Sequence, residues 1–374
     1  MQTFFGIIIG FLVLTILVVI HEFGHFIAAI KSGVKVQEFG IGFPPRLLAW
    51  TITRDKKSKK LIWQKLPKPD WDKPQKSLIF SLNKLPIGGF CSMKGENASD
   101  TQKNSFGAAS FWAKTKILFA GVTFNFLFAV LIFSVLALTG IPTFLPNQYQ
   151  IKENQTFTPA KIIVKDVISD SPAAKSNIRS GDQIISIDDI IINSPTDIVN
   201  YNKDKPGQTI KITLRREDTQ FTTRTTLNPA EARYRLGLSS YQNGIATSRY
   251  TWAAPIVGLG TATQLTKETF IGIGTVFKNL ATGVINQFNQ NETTRKAGQN
   301  QINEVGRSLS GPIGIIGVLF PSFATNPTFI ALLAAIISVS LACMNILPIP
   351  ALDGGRWLLI AIFKLRKKPL TKEI

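Results

Sequence analysis

Residues 21–25 read His21-Glu22-Phe23-Gly24-His25, and they close an apolar run that begins near Phe4. No charged side chain occurs from Phe4 to Ile20, and apolar character resumes after the motif through Ile30. A run of that length crosses a hydrocarbon core of about 30 Å with some tilt. At about 1.5 Å per residue, His21 lies about 26 Å from Phe4 along the axis, near the exit face of the helix. Histidines four residues apart share one helical face and can chelate one Zn²⁺, with the carboxylate of Glu22 beside them as a general base. HExxH on a helix also arises by chance. Inside a membrane segment, though, imidazole and carboxylate groups are costly and therefore functional by default. His21 and His25 are also the only histidines in the sequence.

The rest of the composition fits a membrane protein. The 374 residues are 45% apolar and carry a net charge of +19. Such a charge suits either nucleic-acid binding or Lys- and Arg-rich cytoplasmic loops. The long apolar runs favour the loops, so no nucleic acid is expected as a partner. Cys91 and Cys343 form no CxxC pattern and read as free thiols. The first run lacks a basic leader and a small-residue cleavage site, which predicts a retained helix.

Outward from the motif, the chain divides into four parts. Residues 1–140 form an N-terminal membrane core: a helix over about 4–30, a basic β-like region over 31–110, and a second helix over 112–140. Val34–Thr53 carries alternating and β-branched stretches with Gly40, Gly42, Pro44 and Pro45, which predicts a strand or hairpin. A second β-like stretch ends at Met93, and the run Lys56–Lys60 reads as a solvated or lipid-facing surface. Asn125 lies inside the second helix, where it either hydrogen-bonds a neighbouring helix or lines the site. Residues 141–249 are polar, with short β-like runs at Lys161–Val167, Gln183–Ile187, Ile190–Ile192 and Thr209–Arg215, and predict a compact soluble domain. Residues 250–328 predict an interfacial amphipathic helix followed by an exposed mobile loop over Asn286–Ser308. Residues 329–374 hold the last apolar stretch, broken by Pro348, Pro350 and Asp353-Gly-Gly-Arg356, and then a basic tail.

Counting crossings brings the ends of the chain together. If the basic region after the first helix is cytoplasmic, the first and third membrane segments run in the same direction. His21, His25 and Asp353 then reach a similar depth. A catalytic zinc takes three protein ligands and one open position, and two imidazoles with one carboxylate meet that requirement.

These residues resemble the site-2 protease family of intramembrane zinc metalloproteases, in particular the RseP-type branch with a PDZ domain. The matching stretches are HEFGH at 21–25, AGVTFNFLFA at 120–129, NILPIPALDGG at 345–355, GPIGI at 311–315, and SPAAKSNIRSGDQIISIDD at 171–189. The last is similar to the PDZ signature, but has Ser176-Asn177-Ile178 where the signature has Ala-Gly-Leu. The resemblance implies a multi-pass α-helical membrane protein with an inserted PDZ-like α+β domain and a membrane-associated β-hairpin region. It implies Zn²⁺ held by His21, His25 and Asp353, Glu22 as general base, and Asn345, Pro348 and Pro350 as substrate-binding positions. The implied function is endopeptidase cleavage of transmembrane segments in regulated intramembrane proteolysis, with anti-sigma factors or signal-peptide remnants as examples. Expected partners are single-pass membrane substrates, the lipid bilayer, and peptide segments at the PDZ domain. The expected location is the bacterial cytoplasmic membrane, with the PDZ domain extracytoplasmic. Two rival readings are a non-catalytic PDZ membrane adaptor, which would not need a complete ligand set, and a metal transporter, which would need polar residues spread along a path.

Overall fold

The computed structural model describes residues 2–54, 61–71, 77–96, 102–192, 194–243, 246–289, 291–308 and 315–366. Lys56–Lys60, the last residues of the basic tail, and the GPIGI stretch except Ile315 lie outside the described residues. The chain divides into two compact units, one made of residues 1–136 and 255–374, the other of Ala137–Ala254.

In the first unit, helix α1 (Gln2–Lys31) runs unbroken through the histidine motif. In an apolar medium a helix satisfies its own backbone groups, so uninterrupted apolar sequence folds this way. Helix α2 (Phe111–Thr139) follows the same logic. Between them lies a three-stranded sheet in the order β2-β1-β3, with β1 over Val36–Arg54, β2 over Leu61–Lys65 and β3 over Leu78–Met93. Both long strands bend. Phe39 faces both Cys91 and Phe80, and Gly40 faces both Phe90 and Ser81, so the first half of β1 sits between two arms of β3. The expected strand at Val34–Thr53 is therefore one long bent strand whose hairpin partners come from later in the chain. Phe26, Phe39 and Phe80 pack with ring centroids 5.3 to 5.7 Å apart, each pair worth about 0.5–1.5 kcal/mol beyond its burial. Phe26 and Phe39 join Val36, Met93, Ile117 and Ile360 in one buried cluster, with the half-buried Phe80 packed against it, and it fastens the sheet to α1 and α2.

The second unit is α+β. Its main sheet runs β10-β9-β7-β6-β11, with β6 over Lys161–Val167, β7 over Gln183–Ile187, β9 over Thr209–Arg216, β10 over Thr219–Thr226 and β11 over Leu238–Asn243. β8 (Ile190–Ile191) pairs with β7, and β4 (Ile141–Pro142), β5 (Thr156–Thr158) and β12 (Thr247–Arg249) form a small second sheet. Strand alternation puts Ile162 and Val164, then Ile210, Ile212 and Leu214, into a core closed by Ile198 of α4 (Pro195–Lys203). Ser171 N-caps the short α3 (Pro172–Lys175), its Oγ accepting from the Ala174 N–H. Where the PDZ signature has Gly, Asn177 takes the left-handed conformation at φ 60°. Asn enters that region more readily than other non-glycine residues, so the turn is kept.

C-terminal to this unit, α5 (Ala254–Gln287) continues through Lys267 and Glu268 as a single helix. The expected mobile loop at Asn286–Ser308 is corrected: Glu292–Ser308 is helix α6. Asn291 Oδ1 caps it by accepting from the Thr293 N–H at 2.9 Å, and Glu292 pairs with Lys296 one turn on, at 2.8 Å. Amide-rich composition suggested a loop, but Gln is itself a good helix former, as are the Glu, Arg, Lys and Ala interspersed with the amides. Helix α7 (Phe320–Phe323) packs on α1. Helix α8 (Pro327–Ile346) is N-capped by Asn326, ends before Pro348, and yields to α9 (Asp353–Leu365). Thr3–Lys31, Phe111–Thr139 and Pro327–Ile346 are long and apolar enough to cross a membrane.

Asp182 holds the second unit's signature loop. It is almost fully buried and accepts from the Arg179 N–H at 2.8 Å and from Arg216 Nε and Nη2 at 2.7 and 2.8 Å. Burial alone would raise its carboxyl. The hydrogen bonds and positive charges of Arg216 and Arg179 outweigh that and hold it below the ordinary carboxylate range. Asp182→Asn should cost about 1.5–3 kcal/mol, read as faster amide exchange in β7 and β9. Because the folded carboxyl titrates lower than the unfolded one, its stabilisation is present above the ordinary carboxylate range. The gap between variant and unaltered protein should therefore close as pH falls through Asp182's depressed value.

Candidate active site

α1 and α2 cross beside the histidines. A Cβ on Gly24 would lie 2.5 Å from the Ala120 carbonyl oxygen, and one on Gly121 would lie 2.6 Å from the His21 ring. Only small residues allow backbones that close. The crossing buries His21 and His25, 8% and 6% exposed, in a setting where unpaired imidazoles are costly.

The partner of these imidazoles comes from the far end of the chain. Pro348 and Pro350 cannot continue α8, and the turn over residues 347–352 places Asp353 in the first turn of α9. A carboxylate is favourable there against the helix dipole. Gly354 and Gly355 let α9 start directly under the turn, since a Cβ on Gly354 would strike the Ile346 carbonyl oxygen and one on Gly355 that of Ile349.

The result is a triangle of donor atoms. His21 Nε2 lies 3.0 Å and His25 Nε2 3.3 Å from Asp353 Oδ2, and the two ring nitrogens are 3.1 Å apart. Zinc bonds of about 2.0–2.1 Å in a tetrahedron set ligand atoms about 3.3 Å apart. The three atoms thus fit three corners of a zinc tetrahedron, with the fourth left for a reacting group. His25 Nδ1–H donates to the Ile117 carbonyl at 2.8 Å, leaving its Nε2 lone pair for a metal. Glu22 offers a carboxylate oxygen within 4.8 Å of the His21 and His25 ligand atoms.

His21, Glu22, His25 and Asp353 share a cavity of about 300 Å³ with Asn125, Asn345, and Cys91 and Met93 of β3. Pro348 and Pro350 are exposed and outside this lining; they shape the turn. The motifs alone did not single out Glu96 and Arg356, which also line the cavity. Arg356 Nη1 donates to Glu96 Oε1 and Nη2 to the Glu96 carbonyl, both at 3.2 Å, fastening α9 to the turn after β3. The available signal was a cation one turn beyond Asp353 in an apolar segment.

Residues 9–374 match the model of peptidase family M50. The chain belongs to this family, the site-2 protease family of zinc metalloproteases. A Clostridium acetobutylicum protein whose name describes a zinc metalloprotease is 30% identical over 357 residues, covering 95% of this chain and 86% of that one. The regulator of sigma-W protease RasP of Bacillus subtilis is 24% identical over 431 residues, covering 99% and 93%. Among solved structures, the PDZ domain of the SdrC-like protein from Listeria monocytogenes is 26% identical and covers 22% of this chain and 90% of its own, with a TM-score of 0.20. This M50 protein is a membrane metalloprotease that uses zinc.

Gly121→Val should push His21 off the triangle. Zinc affinity should fall by at least about 10–100-fold, measured by competition with a chromophoric chelator, with helix content unchanged by circular dichroism.

Proposed function

We propose that His21, His25 and Asp353 hold the zinc, that Glu22 is the general base, and that the enzyme cuts peptide bonds within or beside transmembrane segments. The observation that carries this reading is the convergence of the three donor atoms, 3.0 to 3.3 Å apart, beside a membrane-length helix. Zinc held by His21, His25 and Asp353 would supply Lewis acidity, polarising the scissile carbonyl and making a water acidic enough to act near neutral pH. The Glu22 carboxylate takes the proton from the attacking water and returns it to the leaving amine nitrogen. A helical amide is shielded by its own hydrogen bond, so a substrate must unwind before it reacts. β3 ends one side of the three-stranded sheet and sends Cys91 and Met93 into the cavity wall. An unwound segment adds to such an edge through main-chain hydrogen bonds. Asn345 contacts the substrate from the opposite wall, and Pro348 and Pro350 keep the adjoining backbone out of helix so that it too binds substrate.

Substrates are single-pass membrane proteins, with anti-sigma factors and signal-peptide remnants as the leading classes. The name of the Bacillus subtilis relative, a regulator of sigma-W, fits the first of these. The protein sits in the bacterial cytoplasmic membrane with residues 141–249 extracytoplasmic. There that PDZ-like domain binds peptide segments or excludes bulky substrates. Glu22→Gln should retain zinc and lose about 10²–10⁴-fold in cleavage rate on a model single-pass substrate in detergent. Unchanged cleavage by the zinc-loaded variant would disprove the assignment of Glu22.

A further inference from the structure

The cavity wall on α2 carries a polar side chain that the reaction does not otherwise use. Asn125 is fully buried within an apolar helix. A buried amide without partners costs about 1–3 kcal/mol. Ser338 Oγ donates to the Asn125 backbone carbonyl at 2.8 Å, which pins this part of α2 to α8. The side chain points at the proposed zinc site: its Nδ2 lies 3.4 Å from His21 Nδ1, while its Oδ1 meets no donor among the described residues.

The histidine rings decide which way the amide faces. Both turn Nε2 toward Asp353. A ring nitrogen that ligates a metal carries no proton, so the neutral ring keeps its proton on Nδ1. His25 Nδ1–H is satisfied by the Ile117 carbonyl. His21 Nδ1–H faces the Asn125 amide. With Nδ2 in front of it, two donors meet and the carbonyl oxygen goes unused. Amide oxygen and nitrogen are distinguished only by such partners. Half a turn of the amide sets Oδ1 against Nδ1–H, acceptor to donor, and leaves an NH₂ group where no donor reaches.

We infer that Asn125 is the positioning residue of the zinc site, its Oδ1 accepting the His21 Nδ1–H and so fixing the tautomer and ring plane that aim Nε2 at the metal. This rests on reading His21 as a zinc ligand. Without the acceptor, a buried Nδ1–H is orphaned, and the ring gains by moving its proton to Nε2, the tautomer that cannot ligate. A neutral amide supplies the acceptor without placing a further charge at membrane depth.

The test measures zinc affinity of the full chain in detergent by chelator competition, alongside thermal unfolding of the metal-free protein. Asn125→Leu should bind zinc about 10–100-fold more weakly with metal-free unfolding no less stable. Asn125→Asp, which restores an acceptor, should bind within about threefold of the unaltered protein or more tightly. Unaltered affinity in Asn125→Leu, or equal losses in the Leu and Asp variants, would overturn the inference while leaving the ligand set intact. A His21→Ala protein with full zinc affinity would instead overturn the ligand assignment, and the inference with it.

Discussion

Two glycines let α1 and α2 meet at backbone contact beside the histidines, and the chemistry depends on that contact. Gly24 lies against the Ala120 carbonyl and Gly121 against the His21 ring, so a side chain at either position would force the helices apart or displace His21. The same crossing brings the Ile117 carbonyl within reach of His25. A membrane offers no hydrophobic gain for helix association, so close packing of small residues and a few buried hydrogen bonds must hold such a site.

Holding two buried imidazoles and two partly buried carboxylates beside apolar helices is costly, and the structure limits the cost by keeping these groups together around one cavity. Both Nε2 atoms converge on Asp353, where one metal ion would neutralise the carboxylate, and the position of Asp353 at the start of α9 adds the helix dipole. Ala351 and Leu352, at the end of the break between α8 and α9, line the polar cavity, a setting in which non-helical backbone is tolerated at membrane depth. Non-helical backbone there serves the site twice, turning Asp353 inward and opening room beside Asn345. The bent sheet between α1 and α2 closes another side, held to both by the phenylalanine cluster around Phe26.

The membrane helices were legible because apolar length is a one-dimensional property. The strands at Lys161–Val167 and Gln183–Ile187 were legible because alternation is local. Asn286–Ser308 misled because its amide-rich composition resembles loops, whereas the helix depends on a cap at Asn291 and on spacing among its charged residues. The bent pairing of β1 with β3 was hidden for another reason. Pairing in this sheet joins residues from Ile52 with Leu78 out to Val36 with Met93, and its register is set by which side chains pack across the strands, of which alternation within each strand carries no record.

Sequence by itself determined that a zinc-type motif lies deep in a membrane-length helix, and that a lone carboxylate sits in a broken apolar segment over 300 residues away. Those are matters of residue type and spacing along one chain, where burial costs in a bilayer make each polar residue conspicuous. Only the tertiary structure decided that three donor atoms come within 3.3 Å of one another, that Glu96 and Arg356 fasten the cavity wall, and that Asn125 faces His21 Nδ1. Distances of that kind follow from how closely helices pack and at what angle, and glycine contacts made in three dimensions set both.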